Sequence, residues 1–206
     1  MPAGWTARQV AELANIPART VQYWRKEGVI GPTFLYAPGP GGVVYSFADV
    51  VAHRVFEDLV RGGVPRDIAV LAAQDVAQYT AGGSVAPFAS PSNWSDEARS
   101  DCEADGSQSL ADFERSKWLI VPLVDPGEHG DYAAESIVLL RYGSSLPDPA
   151  ILEDQLKRGS RVVKIDDATV AYPIARVVAE VSDRATAYMR KHHMNPDDMP
   201  YWMLPG

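Results

Sequence analysis

Cysteine is almost missing from this chain: its 206 residues include one, Cys102. A lone thiol makes no disulfide within the chain, which excludes a disulfide-stapled fold and makes the reducing cytoplasm the expected compartment. Cys102 itself is expected to be an inert loop thiol. Long apolar runs are also missing. The longest, Trp118 to Val124, covers seven residues, where a spanning helix needs about 20. No charged-then-apolar leader precedes Trp5, which adds to the expectation of a soluble protein. Positive charge is scarce: 19 Lys and Arg stand against 27 Asp and Glu, a formal net charge of -8. The deficit is local, because residues 1–80 carry 7 of each sign and residues 81–206 carry 12 basic against 20 acidic. The whole-chain charge therefore says little about whether a polyanion can approach the first part.

Signatures of catalysis are absent too. There is no Gly-x-Ser-x-Gly elbow, and the glycines of Gly39 to Gly42 sit at a turn rather than between a strand and a helix. His192-His193 with Asp197-Asp198 is the nearest approach to a ligand set, but adjacent histidines on a regular helix do not face one ion, and no His-Glu-x-x-His spacing occurs. A non-enzymatic protein without metal or cofactor is expected. What the chain has in quantity is apolar residues, 46% of the total with 9% aromatics. That is enough for packed cores and too much for wholesale disorder.

The first 80 residues read as helices around tight turns. Thr6-Ala-Arg-Gln9 is a capping box, and Ala7, Val10, Ala11 and Ala14 follow at helical spacing. Asn15-Ile16-Pro17 breaks that helix, and a proline is tolerated only in the first turn of the next. The second helix is Ala-Arg-Thr-Val-Gln-Tyr-Trp-Arg-Lys, with Val21 and Trp24 as its apolar stripe and Gly28 as the left-handed residue that ends it. Phe34 to Tyr36 and Val43 to Tyr45 flank Ala-Pro-Gly-Pro-Gly-Gly, the pattern of a β-hairpin. Ser46 is placed to cap a third helix over about Ala48 to Arg61, and Arg66 to Tyr79 forms a fourth.

Residues 81–109 turn to Gly, Ser, Pro and acid, with too little apolar surface to offset ordering entropy, and are expected to be a linker. Beyond it, Trp118 to Val124 and Ile137 to Tyr142 read as strands covered on both faces. A helix opened by Asp148-Pro149 and ended by Gly159 precedes a third strand, Arg161 to Ile165. Ile174, Val177, Val178, Val181, Ala185 and Tyr188 line one face of a long last helix. The expected fold class is α+β: a mostly helical N-terminal domain over 1–80, the linker, and a small α/β domain over 110–206.

Thr6-Ala-Arg-Gln-Val-Ala-Glu-Leu-Ala, Arg19-Thr-Val-Gln-Tyr-Trp-Arg-Lys-Glu-Gly-Val-Ile, Tyr45-Ser-Phe-Ala-Asp-Val-Val and Gly63-Val-Pro follow one another in the order of the MerR-type winged helix-turn-helix, which residues 5–75 resemble. The resemblance implies a second helix in the major groove of double-stranded DNA, a wing on the flanking groove, and a homodimer on a two-fold operator. By position, Arg19, Thr20, Gln22 and Tyr23 would meet DNA, while Arg25 and Lys26 would hold phosphates. The sequence departs from the family where it has Gln22 and Val44 in place of the usual arginines, and it carries no Lys or Arg between Lys26 and Arg54. The long dimerising helix of typical members is absent as well.

The later part of the chain is similar to bacterial antitoxins that pair with a PIN-like ribonuclease, through the Tyr45 to Phe56 block and the run Val162-Val-Lys-Ile-Asp followed by Ile174-Ala-Arg-Val-Val. An acidic half would complement a basic, RNA-cutting toxin, and acidic surfaces are also ordinary solubility devices. The terminus holds Tyr201, Trp202, Met203 and Leu204 in a row. Such aromatic anchors either fold back on their own domain or fill a groove on a protein partner, with Tyr201 and Trp202 as the contact residues.

Overall fold

The computed structural model describes residues 4–32, 43–81, 119–123, 154–155, 157–159, 161–165, 167, 169–199 and 203–204. Within them the fold is α+β. Five helices are α1 (Ala7–Ala14), α2 (Ala18–Lys26), α3 (Phe47–Arg61), α4 (Arg66–Ala81) and α5 (Ile174–Lys191), with strands β1 (Leu119–Pro122), β2 (Val163–Lys164) and β3 (Thr169–Tyr172).

The helix starts follow from their caps. Thr6 and Gln9 close a reciprocal capping box on α1, and Ser46 and Asp49 close another on α3. Helix α1 ends where Asn15 turns left-handed at φ 55, a conformation asparagine tolerates better than most residues, and its N–H reaches back to Ala11 and Glu12. Pro17, at φ -64, is the extended cap of α2 rather than its first helical residue. Gly28, at φ +66, ends α2 as its position in the sequence implies.

Helix α3 is buried almost all round, from Phe47 to Leu59, as a helix must be when others cover every side. It packs on α1, α4 and α5. Two polar side chains on this buried surface, Arg54 and Asp58, are each within 6% of full burial.

The sheet has the order β1-β3-β2 with both pairings antiparallel: Leu119 opposes Tyr172 and Val163 opposes Ala171. The expected strand over Arg161 to Ile165 shortens to Val163–Lys164, and β3 is a strand that no local signal announced. Four residues separate β2 from β3, a connection that permits antiparallel but not parallel pairing. Central β3 is covered on both faces, with Val170, Ala171 and Tyr172 all buried.

Helix α5 buries Ile174, Val177, Val178, Val181, Ala185 and Met189, and it lies against α1 and α3. A single hydrophobic cluster thus runs from Trp5, Leu13 and Phe56 through Leu119 and Tyr172 to Val181 and Met203. Separate cores for the two segments were expected from the sequence; among the described residues the core is shared. The expected linker beyond Ala81, the expected strand at 137–142, the expected hairpin tip and Tyr201 with Trp202 lie outside the described residues. Of the expected hairpin, the arm Phe34 to Tyr36 lies outside the described residues, and Tyr45 of the other arm forms an isolated bridge with Trp5, both backbone bonds measuring 2.8 Å. Among the described residues no helix is long and apolar enough to cross a membrane.

Candidate nucleic-acid interface

Helix α2 is seated by one large side chain. Trp24 is 7% exposed and sets its ring at right angles to Phe56, centroids 4.7 Å apart, with the His53 ring tilted against it at 5.9 Å. Both partners belong to α3. Val21, fully buried three residues earlier, completes the inward stripe. With about 100° of rotation per residue, whatever lies opposite Val21 and Trp24 must face outward.

Arg19, Gln22, Tyr23 and Lys26 satisfy that condition at positions i, i+3, i+4 and i+7, and all four are exposed. They form one ridge along the helix. Tyr23, at 52% exposure, is among the few large apolar side chains the described surface leaves open. Thr20 is half-buried at the edge of the ridge. Arg25 is exposed too but sits about 100° round from Lys26, on the side where its positive charge draws down the pKa of Tyr45 against the larger effect of burial. The ridge thus unites Lys26 with the central residues and separates it from Arg25, its neighbour in the sequence. Arg19, Arg25 and Lys26 are all exposed, and among the described residues no ion pair engages them.

The turn that carries this helix is held from below. Arg54 reaches out of α3 and donates Nη1–H to the carbonyl of Ala14, the last residue of α1, at 3.1 Å. A cation suits a helix C-terminus, where unsatisfied carbonyls concentrate negative potential. The same guanidinium forks onto Asp58, Nε to Oδ2 at 2.9 Å and Nη2 to Oδ1 at 2.8 Å. Neither residue was singled out from the sequence. A signal existed in their i, i+4 spacing, the spacing of an ion pair on one helix face. Burial pushes the Asp58 carboxyl above its ordinary range, against the pull of Arg54, Tyr172 and Arg161.

Beside Gly28 the surface opens into a groove of about 620 Å³ between the end of α2 and the first turns of α4, lined in part by Val29, Arg66, Val70 and Leu71. Among the described residues no group of three His, Cys, Asp or Glu side chains is placed to hold a metal ion. His192, instead, stacks on Tyr188 with centroids 4.2 Å apart.

No curated protein matches the chain. A family model does: residues 5–67 match that of the MerR HTH family regulatory proteins. The match begins at Trp5, takes in α1, the turn, α2 and α3, and ends in the first turn of α4. With the capped α1, the left-handed turn and the outward ridge of α2, it marks residues 5–67 as a MerR-type helix-turn-helix segment.

Proposed function

We propose that the chain is a sequence-specific, DNA-binding transcriptional regulator, acting in the cytoplasm as a homodimer and without enzymatic chemistry or a cofactor. The observation that carries this reading is the exposed ridge of Arg19, Gln22, Tyr23 and Lys26, seated by Trp24 inside a MerR-type segment. In the groove, Gln22 offers the paired donor and acceptor that suit an adenine edge, with Arg19, Thr20 and Tyr23 around it. Lys26 and, on the flank, Arg25 supply phosphate contacts that fix register. The residues from 110 onward serve to sense a ligand or to bind a protein, for which Tyr201 and Trp202 are the anchor types.

Fluorescence anisotropy of the full chain with DNA from upstream of its own gene tests the reading. Lys26→Ala and Arg25→Ala are expected to weaken binding alike for all sequences and to lower the salt slope by about one each. Gln22→Ala is expected to lose about 1–3 kcal/mol of discrimination at one base pair. Equal affinity for promoter and unrelated DNA, with no response to Gln22→Ala, would sink it. A second reading draws on the 20 acidic against 12 basic residues of 81–206: an antitoxin that masks a basic, PIN-like ribonuclease and represses its own operon. Co-purification with a small nuclease encoded next to it, relieving that nuclease's toxicity, would favour this version.

A further inference from the structure

Asp58 gathers partners from widely separated parts of the chain. One is Arg54, a turn earlier on α3 and bound through the fork already described. Another is Tyr172, at the end of β3, which donates its hydroxyl to Asp58 Oδ2 at 2.9 Å. Arg161, just before β2, places Nη1 3.6 Å from the same oxygen and spends Nη2 on Glu180 of α5 at 3.0 Å. Glu180 is shared in turn with Arg176 at 3.3 Å. On the other side, Arg54 ends on the Ala14 carbonyl, where α1 gives way to the turn and α2.

Stability alone does not account for this arrangement. A buried ion pair contributes little net stability over an apolar set of the same volume, because desolvation offsets most of the attraction. What bonds of fixed direction add over apolar contact is a single geometry. We propose that Asp58, clasped between Tyr172 and Arg54, is the joint through which the C-terminal segment sets the pose of the reading helix α2. Tyr172 fixes the carboxylate, the carboxylate fixes Arg54, and Arg54 fixes the carbonyl that ends α1. Arg161 and Glu180, with side chains 37% and 27% exposed, are the edge of the joint that solvent or a bound partner reaches. These are positioning residues; none touches DNA. The effect on operator affinity rests on the DNA-binding reading, while the effect on α2 does not.

The test uses the full chain with Tyr172→Phe, which removes one hydroxyl and keeps the ring. Its control is Val181→Ala, a cavity in the same shared core but outside the network. Hydrogen exchange is followed at the amides of residues 15–26, with operator affinity measured alongside. Tyr172→Phe is expected to speed exchange in α2 by about tenfold beyond its effect on the most protected amides of α3, and to weaken operator binding by a similar factor at unchanged salt slope. Val181→Ala is expected to alter α2 only as much as it alters the whole molecule. If Tyr172→Phe does not fold, Arg161→Ala at the exposed edge is measured in the same way, with a smaller shift of the same pattern expected. Exchange in α2 no faster than global unfolding predicts, in whichever variant folds, overturns the joint. A wild-type chain that binds no DNA while Tyr172→Phe still loosens α2 overturns the DNA-binding reading and leaves the joint standing.

Discussion

His53 is fully buried against Trp24 of α2, and its Nδ1 lies 2.7 Å from the Asp49 carbonyl, so that nitrogen carries the proton and donates it. Among the described residues its Nε2 is buried with no hydrogen-bond partner, as is the Tyr45 hydroxyl, whose ring stands edge-on to the imidazole at 5.5 Å. Burial pushes the His53 pKa down, and the bond to Asp49 and that residue's charge recover only part of the loss. The charged groups facing this pocket are Asp49 on the same helix and, through Tyr45, Arg25 on α2. A histidine depressed in the folded state takes up its proton first in the unfolded chain, near pH 6.5. Its contribution is therefore complete above that value and is lost as pH falls below it. Thermal melts between pH 7.5 and pH 5 are expected to show falling stability, with a shallower fall in His53→Gln. Parallel slopes for the two proteins would place the acid sensitivity elsewhere.

At the scale of elements, the two capped helices differ in what their caps touch. Around Thr6 the bonds are exposed: its N–H and hydroxyl both donate to Gln9 Oε1, at 2.8 and 2.9 Å. Around Ser46 they are buried: its N–H and hydroxyl donate to Asp49 Oδ2 at 2.7 and 2.9 Å, and the Asp49 N–H returns a bond at 3.1 Å. Thr6→Ala is expected to cost about 0.5–1 kcal/mol and Ser46→Ala about 2 kcal/mol, the upper end of the range for caps. Urea denaturation of both variants checks the order, and equal costs would mean that burial does not strengthen the second cap. These starts were legible in the sequence because a cap is local: a hydroxyl and a polar partner three residues on state it in full. The same holds for Gly28 and for the stripe of Val21 and Trp24, which fixed the outward ridge. Strand β3 was not legible. Thr-Val-Ala-Tyr is four residues with no turn signature of its own, and it exists because Leu119 to Pro122 pairs with it from about 50 residues away. Nor was the Asp58 joint, whose Tyr172 partner is 114 residues distant.

At the scale of the whole molecule, the ends of the chain meet. Trp5 is completely buried, pairs its backbone with Tyr45, and sets its ring edge-to-face with Tyr188 of α5 at 5.8 Å. Its indole N–H donates to the Met203 carbonyl at 3.1 Å, and the Met203 side chain is itself completely buried. Gln9 donates to the Tyr188 hydroxyl at 3.1 Å, and Arg184 to the Leu13 carbonyl at 3.3 Å, so α5 is tied along the length of α1. Part of the terminal run that reads as an anchor therefore folds back, and its Met203 joins the shared core and bonds to Trp5 of the N-terminal segment.

Because the described elements share one core, the full chain is expected to unfold in a single cooperative transition, with the helix-turn-helix and α5 melting together. Removing residues 194–206 takes away a buried methionine, about 1.5–3 kcal/mol, and strands the Trp5 indole N–H, about 1–3 kcal/mol more if no water replaces the lost acceptor. Met203→Ala keeps the backbone carbonyl and isolates the first of these losses, so it is expected to cost less than the deletion. Calorimetry of the three proteins makes the comparison, with hydrogen exchange at Val10 and Leu13 reporting the N-terminal side. If the deletion leaves the melting temperature and the protection of α1 unchanged, the tail does not brace the helix-turn-helix, and its aromatic run is free to engage a partner.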